Sequence, residues 1–348
     1  MSDKLIDLQQ ELKIANKKGN NGNKIKYYTF KDIIGSNKKM TQAIEIAKSA
    51  ASSPSSVLIY GETGTGKELF AQSIHNGGNR RNKPFIAQNC AAIPETLLEG
   101  ILFGTEKGGF TGAVEREGIF EQANEGTLLL DEINSMSLGL QAKLLRVLQE
   151  GYIRRIGGIK DIPVDVKIIA TTNEEPLESI KNGTLRKDLY YRLNVVYINI
   201  PPLKERKDDI LTLVNHFITK YNYILGRDIA GIDGEVLESF YNYSWPGNVR
   251  ELENFIESAM NYAPIHRRYL QNEDFISCSN IFSNNIIIKN NSSIIDTSLP
   301  NYLEEIEKGI IIKTLKANDN NISKTARKLG IKRQTLQHKI KKYSLIAK

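Results

Sequence analysis

One stretch constrains the fold of this chain more than any other: Val57-Leu58-Ile59-Tyr60-Gly61-Glu62-Thr63-Gly64-Thr65-Gly66-Lys67-Glu68. Four apolar or β-favouring residues run into a glycine-rich turn, and Glu68-Leu69-Phe70-Ala71 then starts a helix. Strand, glycine loop and helix is the order that a phosphate-binding loop requires. Gly61, Gly64 and Gly66 let the backbone approach a phosphate closely, so that successive N–H groups of the loop, through Glu62, Thr63 and Thr65, point at it. The helix N-terminus adds a partial positive charge and Lys67 a full one. Glu68 stands where Ser or Thr would ordinarily ligate Mg²⁺. A plain glycine-rich surface turn is the alternative, and it leaves the flanking strand and helix unexplained. The expected ligand is a nucleotide.

A chain of 348 residues suggests two or three domains. Hydrophobic content of 40% with 25% charged residues suits a globular protein with a real core. The net charge of +7 is modest, so its distribution matters more than its sum. Cys90 and Cys278 are the two cysteines, far apart and without metal spacing, which fits a reducing cytoplasm. The N-terminus MSDKLIDLQQ lacks the apolar run of a signal peptide, and no stretch approaches membrane-spanning length. Leu5, Leu8 and Leu12 share a helical spacing before Gly19-Asn20-Asn21-Gly22. That short piece reads equally as a coiled-coil seam, the tail of a linker or a solvated helix.

From Tyr27 to Pro201 short β-rich runs alternate with longer helical ones, which predicts a parallel sheet flanked by helices. The strand candidates are Ser56–Tyr60, Phe85–Asn89, Thr127–Asp131, Val166–Thr171 and Val195–Ile200. Ligands of such sheets bind beyond the carboxyl ends of the strands. Leu128-Leu129-Leu130-Asp131-Glu132 is an apolar strand ending in two acids, the form of a Walker B motif. There Asp131 is suited to help hold Mg²⁺ and Glu132 to polarise an attacking water. Ile168-Ile169-Ala170-Thr171-Thr172-Asn173 is another strand with a polar end; Asn173 reads either as a γ-phosphate sensor or as the cap of the next helix.

Between about Phe30 and Ala263 the chain resembles the AAA+ domain of bacterial sigma-54-dependent transcriptional activators, the enhancer-binding proteins. The resemblance rests on Gly61–Glu68, which has that family's form of the Walker A loop with Glu68 included, and on Glu125–Glu132. It rests further on Leu102-Phe103-Gly104 with Glu106-Lys107-Gly108-Gly109-Phe110-Thr111-Gly112-Ala113, on Arg186–Asn194, and on Trp245-Pro246-Gly247-Asn248-Val249-Arg250-Glu251-Leu252. The chain departs from the family pattern at Ile101, Thr105, Gly109 and Glu125.

The resemblance implies that Phe110, Thr111 and Gly112 contact the sigma factor. Physically, a glycine-rich loop with one exposed aromatic tip suits a partner surface better than it suits stability. Arg186 and Arg192 match the family's pair of arginine fingers, which act in trans on a neighbour's γ-phosphate. Taken alone they read as surface ion-pair partners, for instance of Asp188. Arg250 resembles the sensor II arginine of the lid, and Asn89 the switch residue that reports the γ-phosphate through Glu132.

After Pro201-Pro202-Leu203, amphipathic helices are expected over Asp208–Tyr223, Gly234–Tyr243 and Val249–Asn261, as a lid over the adenine. From Pro264 to Ser298 the composition is that of a flexible linker. Beyond it, Leu303, Ile306, Ile310 and Leu315 make an apolar helical face, Ser323–Leu329 a second helix, Gly330 a turn and Arg333–Tyr343 a third helix. Lys324, Arg327, Lys328, Lys332, Arg333, Lys339, Lys341 and Lys342 follow Asp319 with no acidic residue among them, an excess suited to phosphate contacts. The segment from Asn320 to Leu336 resembles a FIS-type DNA-binding domain, with Lys332, Arg333, Gln334, Thr335 and Gln337 as DNA-contact candidates.

The expected fold class is α/β: a AAA+ P-loop ATPase with a parallel sheet and flanking helices, a helical lid, and a small all-α helix-turn-helix domain. The expected divisions are 1–26 (helix or linker), 27–200 (ATPase subdomain), 201–265 (lid), 266–299 (linker) and 300–348 (DNA-binding domain). The expected function is an ATP- and Mg²⁺-dependent activator that binds upstream double-stranded DNA as a homo-oligomer, hexameric when active, and opens promoters held by sigma-54 RNA polymerase holoenzyme. The alternatives are a regulator that has lost the sigma contact and a AAA+ remodelling or loading machine.

Overall fold

Each of the five apolar runs becomes a strand of one parallel sheet, and the pleat sends alternate residues to two different cores. A computed structural model describes residues 28–108, 114–278, 299–316, 318 and 321–343. The leucine pattern at the N-terminus, the loop tip Phe110-Thr111-Gly112 and residues 279–298 of the expected linker lie outside the described residues.

The chain enters through α1 (Lys38–Ser52), β1 (Val57–Tyr60) and α2 (Lys67–Asn76), then β2 (Phe85–Asn89) and α3 (Glu95–Phe103). A two-residue strand β3 (Gly104–Thr105) pairs antiparallel with β4 (Arg116–Glu117), and α4 (Ile119–Gln122) leads into β5 (Thr127–Asp131). Next come α5 (Leu138–Glu150), a second small hairpin of β6 (Tyr152–Ile153) and β7 (Ile162–Pro163), and β8 (Lys167–Thr172). The sheet closes with α6 (Pro176–Lys181), α7 (Lys187–Leu193) and β9 (Val196–Asn199).

The sheet order is β2-β5-β8-β1-β9, with every pair parallel. Leu58, Leu128, Leu130, Ile168 and Ala170 face a core shared with Leu98, Leu102, Leu144 and Leu189 of α3, α5 and α7. Val57, Ile59, Leu129, Ile169 and Ile198 face the other core, against Ala43, Ala47, Phe70 and Ile74 of α1 and α2. Burial on both faces explains why the three inner strands, β5, β8 and β1, read as largely apolar runs. Each fully buried Leu or Phe here contributes about 1.5–3 kcal/mol.

Local signals fix the helix ends. Asn37 caps α1 by accepting from Lys39 N, and Ser137 caps α5 by accepting from Leu140 N. Gly151 ends α5 in the left-handed region at φ 72°.

The lid comprises α8 (Ile210–Leu225), β10 (Gly231–Ile232), α9 (Gly234–Asn242), α10 (Asn248–Tyr262) and β11 (Tyr269–Leu270), which pairs with β10. Trp245 is fully buried, stacks edge-on with Phe240, Tyr243 and Phe255, and donates its indole N–H to Phe240 O at 2.9 Å. The linker expected over 266–299 is corrected here. Its first part carries β11 and a 3₁₀ segment at Asn272–Cys278, with Leu270 and Phe275 buried and Arg267 paired to Asp274. Single apolar anchors among polar residues give no helical or strand period, so the sequence reads as linker.

Contacts divide the chain into two units, Met1–Ser277 and Cys278–Lys348. The second holds α11 (Leu299–Lys316), α12 (Ile322–Lys328) and α13 (Arg333–Lys342) around Ile311, Leu315, Ala326 and Leu336. The apolar face predicted for α11 is partly misplaced: Ile310 is 52% exposed and Ile311 is buried. With Ile310, Ile311 and Ile312 consecutive, hydropathy alone does not choose among them.

Candidate functional site

The carboxyl ends of four neighbouring strands bring the expected residues together. Parallel register sets Asn89 beside Asp131, Leu130 beside Ala170 and Tyr60 beside Thr172. Gly61 follows at the end of β1, where its N–H donates to Thr172 O at 3.3 Å.

The loop after β1 is built as its glycines require. Gly64 and Gly66 take φ of 80° and 103°, where an L side chain is strained. A β-carbon on Gly64 would lie 2.1 Å from Gly247 O of the lid. Thr65 Oγ1 closes the turn by donating to Glu62 O at 2.7 Å. Lys67 is buried and its ammonium donates to Gly61 O at 2.7 Å and Glu62 O at 3.3 Å. Burial lowers the Lys67 pKa, against the opposing charges of Asp131 and Glu132, while Arg250 adds to the lowering.

The lid is pinned to this loop. Val249 N and Arg250 N donate to Gly64 O at 3.0 and 3.3 Å. Asn248, buried and left-handed at φ 54°, donates to Glu62 Oε2 at 3.1 Å and Thr63 O at 3.0 Å, and accepts from Leu203 N at 2.7 Å. Burial alone would raise the Glu62 carboxyl, but the Lys204 ammonium at 2.7 Å and the Asn248 amide hold it below its ordinary value. Arg206, buried, donates to Thr65 O at 3.2 Å, and buried Asp209 accepts from Ser36 N and Asn37 N at 2.6 and 3.1 Å. Asn248, Arg206 and Asp209 are absent from the sequence-derived candidates. Only Asn248 carried a signal, as an Asn after Pro-Gly.

The acid pair is held from both sides. Asn89 Nδ2 donates to Asp131 Oδ2 at 3.0 Å, and Thr171 Oγ1 to Asp131 Oδ1 at 2.5 Å. Asn89 was expected to act through Glu132; its hydrogen bond goes to Asp131, its register partner, and its Oδ1 accepts from Ala91 N and Ala92 N. Asn173 Oδ1 accepts from Asn134 Nδ2 at 3.2 Å, which places it next to the acid turn. It is not the cap of α6, whose N-cap is Glu175. Cys90 is buried beside these acids and its thiol is pushed up to about 12, by burial first, so it is no nucleophile at neutral pH. Among the described residues no group of three or more His, Cys, Asp or Glu is placed to hold a metal. One carboxylate beside a phosphate loop suits Mg²⁺ that shares its coordination with a bound triphosphate.

The predicted arginine pair bonds elsewhere. Arg186 forms a two-pronged ion pair with Asp188, at 3.0 and 2.7 Å, and Arg192 donates to Leu148 O at 3.0 Å. Neither hydrogen-bonds to the phosphate loop or the acids. Phe110, Thr111 and Gly112 lie outside the described residues; the residues on either side of them are described. Thr105 Oγ1 donates to Val114 O at 2.6 Å, and Glu106 N donates to Ile156 O at 3.0 Å in the 152–163 hairpin. Arg155 binds Glu121 at 2.9 and 2.7 Å and Glu115 at 3.1 Å, fastening the same hairpin to the residues that follow the tip. No described helix is long and apolar enough to cross a membrane.

In the second unit Gly330 turns at φ 68° between α12 and α13. Lys332, Arg333, Gln334, Thr335 and Gln337 are all exposed around the start of α13. Lys339 and Lys342 differ from the other basic residues: they pair with Glu307 and Glu304 of α11. Of the basic residues that follow Asp319 among the described ones, Lys324, Arg327, Lys328, Lys332, Arg333 and Lys341 are exposed and left for phosphate.

A parallel sheet with a phosphate loop, an acid pair and a helical lid defines a AAA+ ATPase fold, here joined in one chain to a helix-turn-helix unit. The chain belongs to the sigma-54-dependent transcriptional activators: residues 33–199 match the sigma-54 interaction domain, 204–277 the AAA+ ATPase lid domain, and 302–343 the Fis family of bacterial regulatory proteins. It is 51% identical over 327 residues to the transcriptional activator RocR of Bacillus subtilis (strain 168), covering 91% of this chain and 69% of RocR. It is 48% identical to a signal-transduction and transcriptional-control protein of Clostridium beijerinckii, covering 97% of this chain and 52% of that protein. The crystal structure of NtrX from Brucella abortus in complex with ATP matches 98% of this chain and 75% of its own, with a TM-score of 0.70 and 30% identity.

Proposed function

We propose that this chain binds ATP with Mg²⁺, hydrolyses it as a homo-oligomeric ring, hexameric when active, and uses the cycle to open promoters held by sigma-54 RNA polymerase from upstream DNA. The observation that carries the reading is the phosphate loop at the end of β1, with buried Lys67 on its carbonyls, the lid's Arg250 N on Gly64 O, and Asp131 held by Asn89 at the end of β5. The RocR likeness and the ATP complex of NtrX support it.

In this reading Gly61 to Glu68 wrap the phosphates, and Lys67 leaves its loop carbonyls to neutralise the β/γ oxygens. Bound Mg²⁺ supplies further charge neutralisation, with Asp131 as its protein contact. Glu132 takes up a proton from the attacking water, Asn173 orients it, and Arg250 carries the state of the site into the lid. Arg186 and Arg192, turned to the surface of their own subunit, serve the site of the next one. The Phe110-Thr111-Gly112 tip contacts the sigma factor, and the exposed start of α13 reads duplex DNA. A sigma-independent regulator lacks a supporting observation: the sigma-54 interaction match runs through the loop.

Nucleotide affinity and phosphate release of Lys67→Ala and Glu132→Gln test the assignment. Lys67→Ala is expected to lose binding. Glu132→Gln is expected to keep it while turnover falls by on the order of 100-fold or more. The converse pattern overturns the reading.

A further inference from the structure

The hydroxyl of Thr171 touches both acids of the site. It donates to Asp131 Oδ1 at 2.5 Å and accepts from the backbone N–H of Glu132 at 3.1 Å. Thr171 is fully buried on β8, the residue after Ala170, which pairs in parallel register with Leu130 just before Asp131. Glu132 turns there at φ 57°, ψ 55°, a left-handed conformation that a non-glycine residue holds only when its surroundings fix it. The two side-chain oxygens of Asp131 are thus taken by different neighbours, Asn89 and Thr171.

We infer that Thr171 is a positioning residue for hydrolysis, one hydroxyl that sets the rotation of the Asp131 carboxylate and the turn that aims Glu132. The inference rests on the ATPase reading above. A strand threonine merely satisfying its own hydroxyl would bond to any nearby carbonyl. Its neighbour Thr172 engages Glu174 O at 2.9 Å, Glu174 N at 3.2 Å and Asn134 Oδ1 at 3.2 Å, none of them a group of the acid pair. Thr171 instead spends both its donor and its acceptor on the acid pair.

The test uses the full chain with Thr171→Val, which keeps shape and loses the hydroxyl, and Thr171→Ser, which keeps the hydroxyl. Thr171→Ala, adding no bulk, is measured beside them, so that one hydroxyl-free variant serves if the other fails to fold. ATP affinity is measured with and without Mg²⁺, and turnover is resolved into kcat and KM. In the hydroxyl-free variants, metal-free affinity should stay within about 2-fold while the gain in affinity from Mg²⁺ shrinks several-fold. kcat should fall on the order of 10–100-fold, with KM rising no more than the Mg²⁺-dependent affinity falls, and Thr171→Ser should recover most of both. Unaltered kcat and Mg²⁺ response without the hydroxyl, or a Ser variant as impaired as Val, overturns the inference. Absence of hydrolysis by the unsubstituted protein is a different failure: it removes the ATPase reading and this inference with it.

Discussion

Asn248 of the lid donates its side-chain amide to Glu62 of the phosphate loop at 3.1 Å, from a backbone at φ 54°. The same side chain accepts from Leu203 N, the first helical turn after the sheet. Lid, loop and hinge therefore meet at one buried amide. Asn248→Ala leaves the Leu203 N–H without its acceptor and should cost about 1–3 kcal/mol. Asn248→Gly keeps the left-handed backbone available and isolates the side chain's share. Denaturant unfolding of both variants, beside ATP titrations, checks this: affinity should fall in each, and stability should fall further in the Ala variant.

His75 lies 1% exposed at the opposite end of the sheet, its Nδ1 3.0 Å from Thr127 Oγ1. Burial, with the Lys167 charge adding to it, lowers its pKa from 6.5 to about 4. Between those values the unfolded chain binds a proton that the folded one refuses. Its contribution is therefore complete above pH 6.5 and drains away toward pH 4, amounting to about 3 kcal/mol at most. Thermal midpoints from pH 7 to 4.5 should fall, and His75→Gln should flatten that slope. An unchanged slope would show that other groups set the acid limit.

Among the described residues the Arg186 guanidinium bonds to Asp188 and that of Arg192 to Leu148 O. Ala variants should bind ATP normally and lose turnover. Mixing one of them with Glu132→Gln should restore some phosphate release at junctions where an intact arginine meets an intact site. Wild-type turnover by both single variants would remove the trans assignment.

With Lys339 and Lys342 tied to α11, DNA binding should depend on the exposed cations instead. Arg333→Ala in the full chain should weaken specific binding by about 1–3 kcal/mol and relax base preference. Lys341→Ala should weaken all sequences alike and lower the salt slope by about 1. Salt-insensitive binding would count against the helix-turn-helix role.

Much of this fold was legible in the residues. The strands at Phe85–Asn89 and Thr127–Asp131 have the bounds that β-rich runs and polar ends suggest; Thr127–Asp131 is buried on both faces, which leaves little else such a run can become. The loop glycines, Lys67 and the acid pair were equally readable, since close phosphate approach and metal contact demand those residue types. Thr171 was not. It matters only because parallel pairing sets it beside Asp131, and a register across strands distant in sequence leaves no mark in either one. The ordering of 269–278 was hidden for a related reason: Leu270 and Phe275 are buried by the lid around them, not by a period of their own. The Ile310/Ile311 misplacement came from a run of three isoleucines that offers every helical phase.

The loop tip Phe110-Thr111 joins ATP turnover to promoter opening in this reading, and it has no chemistry to offer a phosphate. Thr111→Ala therefore separates the two most directly: transcription from a sigma-54 promoter with purified polymerase, run beside phosphate release. The expected result is hydrolysis within about 3-fold of the unsubstituted protein, too small a change for loss of a catalytic group, with open-complex formation abolished. Full promoter opening by Thr111→Ala, or none by the unsubstituted protein despite brisk hydrolysis, would contradict it.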